Sequence, residues 1–361
     1  MSALTLELTD EFVHALSLLD AGRSLFLTGK AGSGKSTLIR HFLESTYRRV
    51  LVAAPTGIAA LNVDGYTVHR LFGFYSGLTL DEVRSGHYYP RRFAETLKSL
   101  ETLIIDEASM VRADLFDMLV AALERFGPQP GTLFGGVQIV LVGDLFQLPP
   151  VVQQAEAEYF STRYETPYFF SADRFTRDEF PTVELTKVFR QLGDLRMTTI
   201  LNAIREGALL TQAREQLNMR TDAYFEPPED EFWLTLAPTN RIVTARNRRH
   251  LDRLDTQEHT HYAGQTGDLE LFDPPVEKEL HFKVGAQIMM LTNDASNRWV
   301  NGTIGRISEI YYDDTDIAVI VEFRDGAIVE VVPHLWEATR PIMREGRIHS
   351  ELIGTYTQLP F

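Results

Sequence analysis

The stretch GKAGSGKST at 29–37 constrains the fold more than any other segment. It follows a short apolar run, Ser24–Thr28, and precedes a helical pattern near 35–46. A glycine-rich turn between a buried strand and a helix fits G-x-x-x-x-G-K-[ST], with Gly29, Gly34, Lys35 and Ser36 at the defining positions. Backbone N–H groups of such a turn, with the positive end of the helix, wrap phosphate oxygens. Glycine permits the close approach. Ala31, Gly32, Ser33 and Thr37 complete the cradle. Lys35 is placed to neutralise the β- and γ-phosphates, and Ser36 to ligate Mg²⁺. The alternative is a plain surface turn, against which the flanking strand and helix argue.

The same alternation continues downstream. Residues 8–21 are helical in pattern, 49–54, 103–106 and 137–143 are short apolar strands, and 112–125 is an amphipathic helix. Strands alternating with helices imply an α/β fold with a parallel sheet covered on both faces. This first domain is expected over 1–180. Residues 181–185 read as a strand opening a second unit, followed by helices near 194–206 and 210–217, a strand over 232–236 and a helix over 239–254. From about 280 the pattern turns to β, at 286–291, 303–311, 317–323 and 327–332, with Asp325–Gly326 as a hairpin turn.

Composition narrows the partners. At 361 residues the chain exceeds what one hydrophobic core usually fills, so two domains are the default. It has no cysteine, which excludes disulfides and cysteine-based metal or nucleophile chemistry and fits a reducing cytoplasm. The acidic N-terminus carries no basic segment of a secretory signal, and no apolar run reaches the roughly 18 residues of a membrane span. The net charge of −15 restricts any nucleic-acid contact to a local groove.

Two further apolar strands end in polar groups. LIIDEAS (103–109) places Asp106 to hold Mg²⁺ and Glu107 to orient and deprotonate an attacking water, with helix capping as the alternative. IVLVGDLFQLPPV (139–151) brings Asp144 and Gln147 to the same sheet edge, with Gln147 placed to sense the γ-phosphate or the water.

These segments carry a resemblance when taken in order with APTGIAALNVDGYTVHRLF (54–72), LTKVFRQ (185–191), LAPTN (236–240), VGAQIMMLTN (284–293) and WVNGTIG (299–305). The chain resembles the Pif/RecD-like superfamily 1 DNA helicases, nearest the Pif type. The resemblance implies a P-loop NTPase fold: a RecA-like domain (1–180), then a second RecA-like domain (181–304) and an SH3-like β insertion (305–361). It implies ATP and Mg²⁺ as cofactors and 5′→3′ movement on single-stranded DNA and duplex junctions. Arg190 matches the family arginine that reaches the γ-phosphate, a role suited to a guanidinium fork.

For the DNA track, Pro55, Thr56 and Gly57 form a turn whose N–H and hydroxyl groups suit a phosphate. The resemblance adds Thr67 and His69 along the same strand, and Thr239, Asn240, Asn301 and Gly302 on the second domain. Arg246, Arg249 and Arg253 share one face of the 239–254 helix; a solvated face is the bland alternative. Phe72 and Phe74 read as core residues, with base stacking as the alternative. His259 and His261 alternate onto one strand face, with no third metal ligand in view.

Two departures from the family pattern qualify the expectation. Residues 7–22 contain no glutamine of the kind that reads adenine in the family. The chain ends at GTYTQLPF (354–361), before the family's final motifs, which predicts an incomplete second domain and a weak motor. A DNA-binding factor that does not unwind, or a P-loop regulator of a protein partner, are the competing readings. A cytoplasmic monomer that touches no membrane is expected.

Overall fold

A computed structural model describes residues 9–361 except positions 76, 91, 92, 155, 190–194, 209, 210, 229, 230, 270, 271, 273, 313–316, 345 and 346. The chain divides into two compact units. The first comprises Met1–Met219 with Arg340–Glu351, and the second Arg220–Thr339 with Leu352–Phe361.

The first unit is built on a six-stranded sheet. Its strands are β1 (Leu25–Gly29), β2 (Val50–Ala54), β3 (Tyr66–Thr67), β4 (Thr102–Ile105), β5 (Gln138–Val142) and β6 (Thr182–Leu185). They pair in parallel in the order β3-β2-β4-β5-β1-β6. Every residue of β4 and β5 is buried, as continuous apolar runs in a sheet covered on both faces require. Phe12, Ala15 and Leu19 of the Asp10–Asp20 helix pack on one face, beside Leu38, Ile39 and Phe42 of the Lys35–Ser45 helix. The order brings the C-terminal ends of β1, β4 and β5 to one edge, where parallel sheets bind ligands.

The second unit is mostly β. Its strands are β7 (Glu258–Tyr262), β8 (Gly264–Gly267), β9 (Glu279–Lys283), β10 (Gln287–Met289), β11 (Ile304–Tyr312), β12 (Ile317–Phe323) and β13 (Ile328–Val331), with the parts of β14 (His334–Arg344) and β15 (Arg347–Gln358) that lie outside 340–351. Strands β10 to β13 form one sheet, β14, β15 and β8 a second, and β7 and β9 a pair. Asp325–Gly326 makes the expected turn between β12 and β13, with Gly326 at φ 85°. One expected element is absent. Residues 232–236 are not a strand, although they carry strand-like residues. The Trp233 N–H donates to the Gln287 side-chain oxygen (3.1 Å), and the Gln287 amide donates back to the Trp233 carbonyl (2.6 Å). A side chain replaces the ladder there.

Candidate nucleotide and DNA site

Strand β1 ends at Gly29, and the loop turns into the Lys35–Ser45 helix through Gly34 at φ 96°. Gly29 leaves no room for a side chain. A Cβ would lie 2.6 Å from the Leu185 carbonyl and 2.6 Å from Ser33 Oγ. Lys35 Nζ folds onto the loop and donates to the Gly29 carbonyl (2.7 Å) and the Lys30 carbonyl (3.3 Å). Burial lowers the Lys35 pKa, and Asp144, Glu107 and Asp106 oppose that shift. Ser36 and Thr37 are exposed at the helix start, as is Ala31, while Gly32 is half-buried. Ser33 Oγ is buried with no hydrogen-bond partner among the described residues. An orphaned hydroxyl, a backbone cradle and a lysine resting on loop carbonyls together fit a polyphosphate.

The tip of β4 faces the same edge. Asp106 Oδ1 accepts from the Glu107 N–H at 3.0 Å. Glu107 sits in the left-handed region at φ 50°, ψ 41° and makes no side-chain cap to the short helix that follows. An L residue held there is strained, a feature that concentrates at functional sites. Burial raises the Asp106 pKa against the Glu107 amide and Lys35. Burial and then Asp106 raise that of Glu107, with Lys35 opposing. Asp106 and the Ser36 hydroxyl are hard oxygen donors of the kind Mg²⁺ takes.

Beyond β5, Asp144 is buried while Gln147 is exposed, and Gln147 Nε2 donates to Asp144 Oδ2 at 3.1 Å. A residue not singled out in the sequence completes this group. Arg205 Nη1 lies 2.6 Å from Asp144 Oδ2. The pair spans 61 positions, so no local pattern exposes it. Burial pushes Asp144 up, but bonds from Arg205, Gln147 and the Phe146 amide hold it below the ordinary carboxylate value. Arg190 lies outside the described residues. Its neighbour Phe189 donates its N–H to the Gly32 carbonyl at 2.9 Å.

The candidate DNA residues divide between the units. In the first, Ala54 of β2 pairs in register with Thr67 of β3, so Pro55–Gly57 and Thr67–His69 start from neighbouring strand ends. Thr56 and Thr67 each accept a backbone N–H of the helix they precede, at 3.3 and 3.2 Å. His69 is exposed. Phe72 and Phe74 are buried and stack on each other at 5.3 Å, which rules them out as base-stacking faces. In the second unit, Thr239, Asn240, Asn301 and Gly302 are exposed and Arg246 is half-buried. Arg246 Nε donates to Thr235 Oγ1 at 3.1 Å, Arg253 meets Glu226 at 4.0 Å, and Arg249 shares their helix. His259 bonds Tyr312 and His261 bonds Gln358, and no metal-holding cluster exists among the described residues.

Known proteins match this arrangement. The profile of PIF1-like helicases matches residues 7–213. The chain is 33% identical over 326 residues to the ATP-dependent DNA helicase PIF1 of Saccharomyces cerevisiae, covering 85% of this chain and 36% of that one. It is 32% identical to the ATP-dependent DNA helicase Pif1 of Bdellovibrio bacteriovorus, covering 86% of this chain and 70% of that one. The chain thus spans little more than a third of the yeast relative. The crystal structure of Bacteroides Pif1 with ADP-AlF4 superposes with a TM-score of 0.84 at 32% identity, over 98% of this chain and 81% of that one. Bacteroides Pif1 bound to single-stranded DNA superposes at 0.65, with the same identity and coverage. The six-stranded parallel sheet is therefore a RecA-like P-loop fold. No described helix is long and apolar enough to cross a membrane.

Proposed function

The chain belongs to the PIF1-like helicase family, and on that premise we propose that it couples ATP hydrolysis to 5′→3′ movement along single-stranded DNA. One observation carries the ATP half. The phosphate loop, the Asp106–Glu107 tip and the Asp144–Gln147 turn converge on one edge of one sheet, around Lys35. The DNA half is supported by the Bacteroides relative bound to single-stranded DNA and by exposed candidate residues on both units.

Lys35 exchanges its loop carbonyls for phosphate oxygens, and the backbone cradle satisfies the rest. Glu107 accepts the proton of the attacking water on its carboxylate, and its raised pKa makes it a better acceptor. Gln147 orients that water or reads the γ-phosphate. Arg190 supplies a guanidinium to the transferring group. Asp106 and Ser36 would hold Mg²⁺, which offsets phosphate charge when bound. We further propose that residues 181–304 form part of a second RecA-like lobe and 305–361 an SH3-like insertion, with DNA lying along Pro55–Gly57, Thr67, His69, Thr239, Asn240, Arg246, Asn301 and Gly302.

The test pairs hydrolysis with strand displacement. Single-stranded DNA should stimulate ATP turnover, and duplex should open from a 5′ tail and not from a 3′ tail. Glu107→Gln should keep ATP binding and lose about 10²–10⁴-fold in turnover. Absence of DNA-dependent hydrolysis, or displacement from 3′ tails alone, would overturn the reading. A DNA-binding factor without unwinding is the outcome if hydrolysis and binding occur and no strand is displaced.

A further inference from the structure

We propose that Arg205 is a positioning residue for ATP hydrolysis: it locks the Asp144–Gln147 turn against the phosphate site and ties that turn to the helix following Arg190. The inference rests on the hydrolysis reading above. Asp144 is 2% exposed, and a buried carboxylate needs a paired charge and its lone pairs filled. Arg205 supplies the charge at 2.6 Å. The Phe146 N–H fills Oδ1 at 3.1 Å, and Gln147 Nε2 shares Oδ2 at 3.1 Å. The Gln147 N–H closes the turn on the Asp144 carbonyl at 2.9 Å.

Arg205 grips the turn at a second point. Its guanidinium lies 4.3 Å from the centroid of the Phe146 ring, a cation–π contact. Asp144 and Phe146 flank Leu145, and Phe146 directly precedes Gln147, so the one side chain fixes both the start and the middle of the turn. A planar guanidinium can bond with an arm and stack with its face, whereas lysine keeps only the charge. Arg205 closes the Leu195–Arg205 helix, where a cation also suits the helix dipole. The next residue, Glu206, reaches Lys30 of the phosphate loop at 3.6 Å. One helix end therefore touches both loops that meet the triphosphate.

The charge balance points the same way. Asp144, Glu107 and Asp106 all act on Lys35, and Arg205 opposes them. Without Arg205 an unpaired carboxylate would face an incoming polyanion. A small misplacement of Gln147 is costly as well, because water positioning tolerates little error.

The test compares wild type with Arg205→Gln, Arg205→Lys, Gln147→Ala and the Arg205→Gln/Gln147→Ala double variant. ATP affinity, kcat at saturating single-stranded DNA, and hydrogen exchange at the Phe146 amide are measured on each folded protein. Arg205→Gln should keep ATP affinity within a few-fold and lower kcat by about 10²-fold. Arg205→Lys should recover part of the loss. The double variant should be no worse than the more impaired single, as groups acting as one unit are non-additive. Phe146 exchange should rise about tenfold or more in Arg205→Gln, as local opening becomes easier. Unchanged kcat, multiplying effects in the double variant, or unchanged Phe146 exchange would overturn the proposal. If the wild type hydrolyses no ATP, the hydrolysis reading fails, and Phe146 exchange still decides whether Arg205 locks the turn.

Discussion

Gly29 and Lys35 stand six positions apart in one loop and answer to different physics. At Gly29 the constraint is steric. A methyl group would press on the Leu185 carbonyl of the neighbouring strand, which cannot swing away as a flexible side chain can. Gly29→Ala should destabilise the first unit by more than about 2 kcal/mol, read as a lower urea midpoint. An unchanged midpoint would show that the loop yields. At Lys35 the constraint is the ligand, since its partners here are loop carbonyls that a phosphate replaces. Lys35→Ala should leave the midpoint close to wild type and weaken ATP binding by more than about tenfold. The motif made both residues legible, because loop, strand and helix are contiguous in the chain. Ser33 was legible as cradle and not as an orphaned hydroxyl, and Arg205 was not legible at all. Those facts depend on which distant atoms surround a side chain. Phe72 and Phe74 show the same limit: their stacking on each other, not their residue type, settles that they are core.

At the scale of elements, legibility followed length and context. The expected strand at 103–106 is observed at Thr102–Ile105, and the expected helix at 112–125 at Ala113–Phe126. The short helices Gly57–Asn62, Leu80–Arg84 and Ala94–Ser99 carry too few turns for a period to emerge. Residues 232–236 have strand-like composition, yet a strand needs a partner backbone, and Gln287 takes that place with one amide. The β14–β15 pair illustrates what an element adds. His334 of β14 packs edge-on against Trp336 at 4.7 Å, in the cluster of Trp336, Tyr356 and Val276. Burial lowers its pKa, so the fold favours the neutral ring. Its contribution is full above the ordinary imidazole value of about 6.5 and is lost as pH falls through the depressed value in the fold. His334→Phe keeps a ring on Trp336 and removes the titration. Its stability relative to wild type, from urea unfolding of the whole chain, should therefore rise as pH drops from 7.5 to about 5. A difference flat across that range would show that the ring does not titrate against the fold.

At the scale of the whole molecule, the net charge of −15 and the proposed DNA track pull in opposite directions. A polyanion is repelled by the average field and is bound only where cations are gathered. The Asn240–Asp252 helix gathers them, and its Arg246 is half-buried and steered by Thr235. Each phosphate neutralised on a single strand releases condensed counterions, and the salt dependence counts those contacts. Affinity for single-stranded DNA should fall steeply as salt rises, and Arg246→Ala should reduce the slope of log K against log salt by about 0.7. The loss should be similar for different base sequences, because a phosphate contact carries no base information. Fluorescence anisotropy of labelled oligonucleotides of two compositions, titrated across a salt series, measures both quantities. An unchanged slope would place Arg246 on a merely solvated face, and a composition-dependent loss would move it from backbone to base. On the proposed track, the acidic remainder of the surface would confine DNA to the basic stripe, so that removing one arginine there would be felt in the slope.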